Sequence, residues 1–217
     1  MKPVLPLVLA IAALTIAGPA ARAQHTRLFP PQDLGQLEGP DREVWQQPDR
    51  IMDALEIADG SAVADLGAGG GWFAIRLARR VGPNGIVWAE DIQPEMIESI
   101  KRRVQREQLR NVRAQLGTPL DPHLPPRALD AVLTVETYHE FEQPVTLLRN
   151  IDKALKPGGL LAIIEFSKDG FGPGPAIEDR VDPERVIRDA RAAGLDLVAR
   201  PSFLRYQYML VFGHAKR

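Results

Sequence analysis

Cysteine is absent from all 217 residues of the chain. That excludes disulfides, thiolate metal sites and cysteine nucleophiles. An excess of charge of one sign is missing too: 27 basic residues stand against 28 acidic ones, so no bulk field recruits nucleic acid. No extended block of like charge occurs either, and Lys101-Arg102-Arg103 reads as the wet face of a helix. Histidine is scarce. His25, His123, His139 and His214 are scattered without the spacing of metal ligands, so no metal is expected.

At 217 residues with 45% apolar side chains, the chain is long enough for one well-buried domain and too short for two of ordinary size. Its first residues carry an address. Met1-Lys2 gives a positive start, Val4 to Ala17 is almost wholly apolar, and Ala21-Arg22-Ala23 offers small residues where a signal peptidase reads. The apolar stretch falls short of the ~20 residues of a spanning helix. Cleavage before Gln24 is therefore expected, with no membrane span afterwards and a periplasmic or secreted product; a misassigned start codon would instead leave the protein cytoplasmic. The organisation expected is a signal peptide over 1–23, an extension and cap helix over 24–58, and one domain over 59–217.

Residues 24–49 are rich in Pro, Gly, Gln and charge and read as an extended segment lying over the domain. Ile51, Leu55 and Ile57 give a short amphipathic helix closed by Asp59-Gly60. Beyond it, strand and helix alternate. Strands are predicted over 62–66, 86–89, 111–116, 129–135 and 160–166, with helices at 73–81, from Pro94, around Leu147 to Leu155, and over 183–193. Such alternation implies a doubly wound, mostly parallel α/β sheet with helices on both faces, and 195–199 with 206–212 predicts a closing antiparallel hairpin that brings the strands to seven. Ligands of such sheets bind at the carboxyl ends of the strands.

The loop after the first strand is nearly all glycine and alanine: Val63-Ala64-Asp65-Leu66-Gly67-Ala68-Gly69-Gly70-Gly71-Trp72. Backbone amides there can approach a ligand that larger side chains would hold off. A dinucleotide site of the G-x-G-x-x-G type would need glycine at position 72, which is Trp72. This disfavours a nicotinamide-dependent oxidoreductase. The alternative pattern, an acid two residues ahead of alternating glycines, is supplied in full by Asp65, Gly67, Gly69 and Gly71.

Asp65-Leu66-Gly67-Ala68-Gly69-Gly70-Gly71 resembles the first motif of the class I S-adenosylmethionine-dependent methyltransferases. Gly85 to Met96 is similar to their second-strand motif, Leu129-Asp130-Ala131-Val132-Leu133 to their fourth strand, and Leu155-Lys156-Pro157-Gly158-Gly159-Leu160-Leu161 to the turn into their fifth. Ile164-Glu165-Phe166-Ser167-Lys168 resembles the ubiquinone and menaquinone biosynthesis branch, and the likeness runs from about Asp59 to Lys168.

The resemblance implies S-adenosylmethionine as cofactor and assigns roles. Asp65 would attract its ammonium, and Gly67, Ala68, Gly69 and Gly71 would admit it to the loop. Asp91 would accept the ribose hydroxyls, with Glu90 the other candidate, and Ile92 would lie against adenine. Where many members have an acid after the third strand, this chain reads Leu116-Gly117-Thr118-Pro119-Leu120-Asp121. Gly117 and Thr118 would then hold adenine, or Asp121 would reach back. Glu136 is expected to face the cofactor. Methyl transfer needs alignment and removal of the nucleophile's proton when it has one. His139 with Tyr138 is the catalytic candidate set, against the reading that both merely shape the pocket, and Glu165 is a candidate substrate contact. Arg42 and Trp45 suggest an N-terminal flap, and Gly170 to Pro175 a mobile lid.

The function expected is methyl transfer to a small-molecule acceptor by a monomer or homodimer. The alternative is an exported, non-catalytic protein that keeps the fold and binds S-adenosylmethionine or another adenosine ligand, since the cofactor is made in the cytoplasm.

Overall fold

The structure, a computed structural model, describes residues 28–170 and 172–215. The expected signal peptide over 1–23 and His25 lie outside the described residues.

Seven strands form one sheet in the order β3-β2-β1-β4-β5-β7-β6. The parallel part comprises β1 (Ala62–Leu66), β2 (Ile86–Asp91), β3 (Val112–Leu116), β4 (Leu129–Val135) and β5 (Leu155–Phe166). The last two, β6 (Leu195–Ala199) and β7 (Gln207–His214), pair antiparallel, and β7 inserts beside β5. This is the seven-stranded, mostly parallel arrangement with a closing hairpin that the sequence predicts. The chain runs outward from β1 to β3 and then returns to β4 on the other side of β1. That reversal opens a crevice at the carboxyl ends of β1 and β4.

Side chains alternate along each strand and so feed two cores. On one face Ala131, Leu133 and Val135 of β4 pack with α2 (Pro48–Ala54), α3 (Trp72–Val81) and α4 (Pro94–Arg106). On the other, Leu129 and Val132 pack with α5 (Pro144–Ala154) and α6 (Pro183–Ala193). The helices show why they dock: α3 buries Phe73, Ala74, Leu77, Ala78 and Val81, a stripe at helical spacing. Truncating a fully buried member such as Leu77 to alanine costs about 2–5 kcal/mol.

Two departures from the sequence reading stand out. Residues 31–46 are not extended but form a 3-10 turn (Pro31–Glu38) and a one-turn helix, α1 (Arg42–Gln46). Proline at the first position starts the former, because its missing amide is unbonded there anyway. The fifth strand begins at Leu155, five residues early, and its pairing with β4 shifts register between Leu129 and Ala131, where Pro157-Gly158-Gly159 is absorbed into the start of β5.

Candidate active site

Residues 67–71 carry the chain from β1 into α3, with Gly67, Gly69 and Gly71 at φ of +68°, +53° and +79°. Gly67 requires glycine on two grounds. Its φ is left-handed, and a Cβ there would strike the Thr137 side chain on the segment leaving β4. Gly71 is the residue that caps α3, and its amide bonds Ala68 O at 2.8 Å. Gly67, Ala68 and Gly69 line a cavity of about 520 Å³, while Gly71 stands outside it. The volume is that of a small-molecule site.

Asp65, at the end of β1, lines this cavity and is only 3% exposed, yet its Oδ2 has no hydrogen-bond donor. Burial pushes its pKa up to about 7 against the pull of Arg42. An unsatisfied buried oxygen costs about 1–3 kcal/mol, a cost relieved by any ligand that brings a cationic donor. At the end of β2, Asp91 takes the amide of Gly69 on Oδ2 and that of Gln93 on Oδ1, both at 2.9 Å. Burial raises its pKa and these backbone bonds oppose the rise. Glu90 sits deeper, its Oε2 3.4 Å from the Gly67 amide, and burial and the Asp91 charge hold its carboxyl well above the usual range. Ile92 and Met96 add apolar wall beside them.

The third-strand expectation is met only in part. Thr118 lines the cavity, but its hydroxyl is engaged in its own turn, donating to Asp121 O at 3.1 Å and accepting the Asp121 amide at 3.0 Å. Gly117 does not reach the cavity. A Cβ there would run into the Glu90 carboxylate, so this glycine makes room for Glu90.

The other half of the cavity is assembled from distant parts of the chain. Glu136 follows β4 at φ +58°, uncommon for a residue other than glycine, while its amide still bonds Ile164 O at 2.8 Å. Its carboxylate belongs to a ring of buried polar groups. Arg42 Nε donates to Gln46 Oε1 at 3.1 Å, Gln46 Nε2 to Gln207 Oε1 at 2.5 Å and Gln207 Nε2 to Glu136 Oε1 at 2.6 Å. Arg42, 3.9 Å from Glu136, closes it. Burial lowers the Arg42 pKa, whereas the Glu136 and Asp65 charges raise it. Burial raises that of Glu136, with Arg42 pulling it down. The Arg42 guanidinium also stacks over Trp72, 4.4 Å from its centroid. Trp45, on the same one-turn helix, walls the cavity with Phe166 and Tyr206 at ring separations of 5.9 and 6.2 Å.

A 3-10 turn over Tyr138–Glu140 splits the expected catalytic pair. His139 faces the cavity and meets Glu165 at the end of β5, Nδ1 to Oε2 at 3.1 Å. Burial alone would lower its pKa, but the hydrogen bond and charge of Glu165, with Glu140 and Glu136 adding to them, raise it. Tyr138 points the other way. Only 2% exposed, it packs in the core of the α5 face, and its hydroxyl donates to Asp189 Oδ2 at 2.6 Å, with burial raising its pKa. Its assignment to the catalytic set is therefore corrected: it anchors the turn that presents His139.

Several lining groups carry no motif. Glu140 accepts the Phe29 amide at 2.9 Å, Gln93 Nε2 donates to Phe29 O at 3.1 Å, and Glu38 pairs with Arg103. Together they lash residues 28–46 over the crevice. Pro173, Gly174 and Pro175 close it from the β5 side. Among the described residues, no group of three or more His, Asp or Glu side chains is arranged to hold a metal ion, and no helix is long and apolar enough to cross a membrane.

Comparison with known proteins agrees with this geometry. Residues 63–159 match the family model described as a methyltransferase domain. The chain is 33% identical over 137 residues to a ubiquinone/menaquinone biosynthesis C-methyltransferase of Pasteurella multocida, covering 60% of this chain and 48% of that one. It is 32% identical over 127 residues to a protein-L-isoaspartate O-methyltransferase of Pyrococcus horikoshii, covering 57% and 54%. The matched part thus spans about half the length of these relatives. Among solved structures, a SAM-dependent methyltransferase from Aquifex aeolicus superposes with a TM-score of 0.81 at 26% identity, over 85% of this chain and 98% of that one. With an acid-headed glycine loop at the switch point of a seven-stranded sheet and likeness in both sequence and structure, the chain carries a methyltransferase domain over residues 63–159 and has the fold of the class I S-adenosylmethionine-dependent methyltransferases.

Proposed function

We propose that the protein transfers a methyl group from S-adenosylmethionine to a small-molecule acceptor. The observation that carries this reading is the buried Asp65 carboxylate, unpaired on Oδ2 and facing a 520 Å³ cavity at the head of the glycine loop. Asp65 would hold the cofactor's ammonium, Asp91 its ribose hydroxyls, and Ile92 with Met96 its adenine. The bound cofactor supplies an electrophilic methyl on a sulfonium. The chain's own residues align the partners, exclude water under the 28–46 segment and the Pro173–Gly174–Pro175 turn, and offer His139 for the acceptor's proton.

The two relatives named above methylate different atoms, a carbon in one and an oxygen in the other, so likeness alone does not select the acceptor. Phe166, Trp45, Tyr206 and Phe141 give the acceptor end flat apolar walls, which favour an aromatic ring. Reduced demethylquinols, the acceptor type suggested by the name of the Pasteurella relative, are the first compounds to assay. Titration calorimetry with S-adenosylmethionine, S-adenosylhomocysteine and NAD tests the cofactor part: binding of the two sulfur compounds and not of NAD is expected, and silence from both sulfur compounds overturns the proposal. Residues 1–23 support export, and we expect the mature protein in the periplasmic or secreted fraction; recovery from the cytoplasm with those residues still attached would overturn that. The non-catalytic alternative requires cofactor binding without turnover on any acceptor.

A further inference from the structure

We propose that Glu165 is a positioning residue that locks His139 as the proton acceptor for a neutral or cationic O–H or N–H acceptor; this rests on the methyltransferase reading of the cavity. Glu165 occupies the penultimate position of β5, opposite Tyr208 of β7, and is 1% exposed. Strand pairing on both sides of β5 fixes its backbone. Its carboxylate holds His139 at two points, Oε1 taking the backbone amide at 3.3 Å and Oε2 facing Nδ1 at 3.1 Å.

That contact decides the tautomer. An ionised carboxylate only accepts, so in the neutral imidazole the hydrogen sits on Nδ1 and the lone pair on Nε2. No described residue hydrogen-bonds Nε2, and the ring lines the cavity. The arrangement therefore presents a base of fixed orientation to the acceptor end. The proton balance is simple. The acceptor's O–H or N–H bond breaks, its electron pair stays on the heteroatom as nucleophile, and the proton passes to Nε2. The imidazolium so formed is balanced by Glu165 and surrenders its proton to water in the next cycle.

The same surroundings restrict the acceptor's charge. Asp65, Asp91, Glu136 and Glu140 line the cavity, and among the described residues Arg42 is the only lysine or arginine that does so, already paired with Glu136. A carboxylate- or phosphate-bearing acceptor would enter against that field. The charged groups facing His139 are Glu165, Glu140 and Glu136, all of which favour its protonated form. A base of this kind is ready above, not below, the ordinary histidine pKa.

Nitrogen-15 NMR of histidine side chains tests the lock without any turnover. Wild-type protein should show neutral His139, assigned with His139→Asn, as the Nδ1–H tautomer titrating above 6.5, and Glu165→Gln should lower the midpoint by about one pH unit or more. The Nε2–H tautomer, or an unmoved midpoint in Glu165→Gln, overturns the lock. Should that variant fail to fold, the wild-type tautomer and midpoint alone decide. With S-adenosylhomocysteine present, 1-naphthol should shift the Nε2 resonance and 1-naphthoate should not. No shift with naphthol, or an equal shift with naphthoate, overturns the acceptor class. Calorimetry with S-adenosylhomocysteine on the same samples separates the failures. A failed lock with binding kept sinks this inference alone, and lost binding in the wild type sinks the methyltransferase reading.

Discussion

The two halves of the cavity are built in opposite ways. The half formed by the ends of β1 and β2 comes from residues 65–71 and 90–92, two short stretches that meet through backbone amides and carboxylates, as Gly69 and Asp91 do at 2.9 Å. The half formed by β4 and β5 draws on residues as far apart as Phe29, Arg42, Glu136, Glu165 and Gln207, joined through side chains. The first has its geometry fixed by backbone and tolerates little change. The second is fixed by contacts that can be exchanged one at a time, as suits a region that must differ between acceptors.

Substitutions can break this contrast. Gly67→Ala should do most, because it forces a left-handed φ on alanine and drives a methyl into Thr137. A loss of about 3–5 kcal/mol in urea unfolding is expected, and a loss below 1 kcal/mol would show the loop to be pliable. Asp65→Asn should weaken S-adenosylhomocysteine by about 10- to 100-fold in calorimetry, the worth of a charge-assisted bond. The same variant has a stability signature. Because the folded Asp65 pKa of about 7 lies above its ordinary 3.8, its contribution to stability is complete below pH 3.8 and is lost as pH rises through 7. Thermal melts of ligand-free wild type should fall across that window, and those of Asp65→Asn should fall less.

Arg42→Met removes one member of the polar ring while keeping apolar bulk over Trp72, and about 1–3 kcal/mol should be lost because Glu136 keeps Gln207. A neutral result in thermal unfolding would make the ring ornamental. Tyr138→Phe should be the mildest, costing about 1 kcal/mol for the Asp189 bond with turnover unchanged. A marked fall in turnover at intact stability would return Tyr138 to the catalytic set.

The same contrast explains what could be read in advance. Strands, helices, the closing hairpin and the glycine loop were legible because each is written in contiguous residues: alternation along β4, an apolar stripe at helical spacing on α3, an acid ahead of spaced glycines. Tyr138 misled because two adjacent residues on a 3-10 turn point apart, and nothing in Thr137-Tyr138-His139-Glu140 says which of them faces inward. Gly117 misled because its neighbour in space, Glu90, is 27 residues away in sequence. Gln46 and Gln207 left no trace at all, since a hydrogen bond across 161 residues has no local pattern. Residues 31–46 could have been read as helical from Pro31 and from Asp41-Arg42-Glu43, but their proline and glycine content argued for extension.

The ring of Arg42, Gln46, Gln207 and Glu136 has a consequence for which parts of the chain the far end of the cavity depends on. It ties the first helix to the last strand, and β7 lies between β5 and β6 instead of at the edge. Residues 62–166 supply β1 to β5 and the glycine loop, whereas Tyr206 and Gln207, which finish the wall on the β5 side, come from the closing hairpin. That end of the cavity thus depends on the docking of β7 beside β5, whereas the glycine loop and the carboxylates at the ends of β1 and β2 belong to the first two strands.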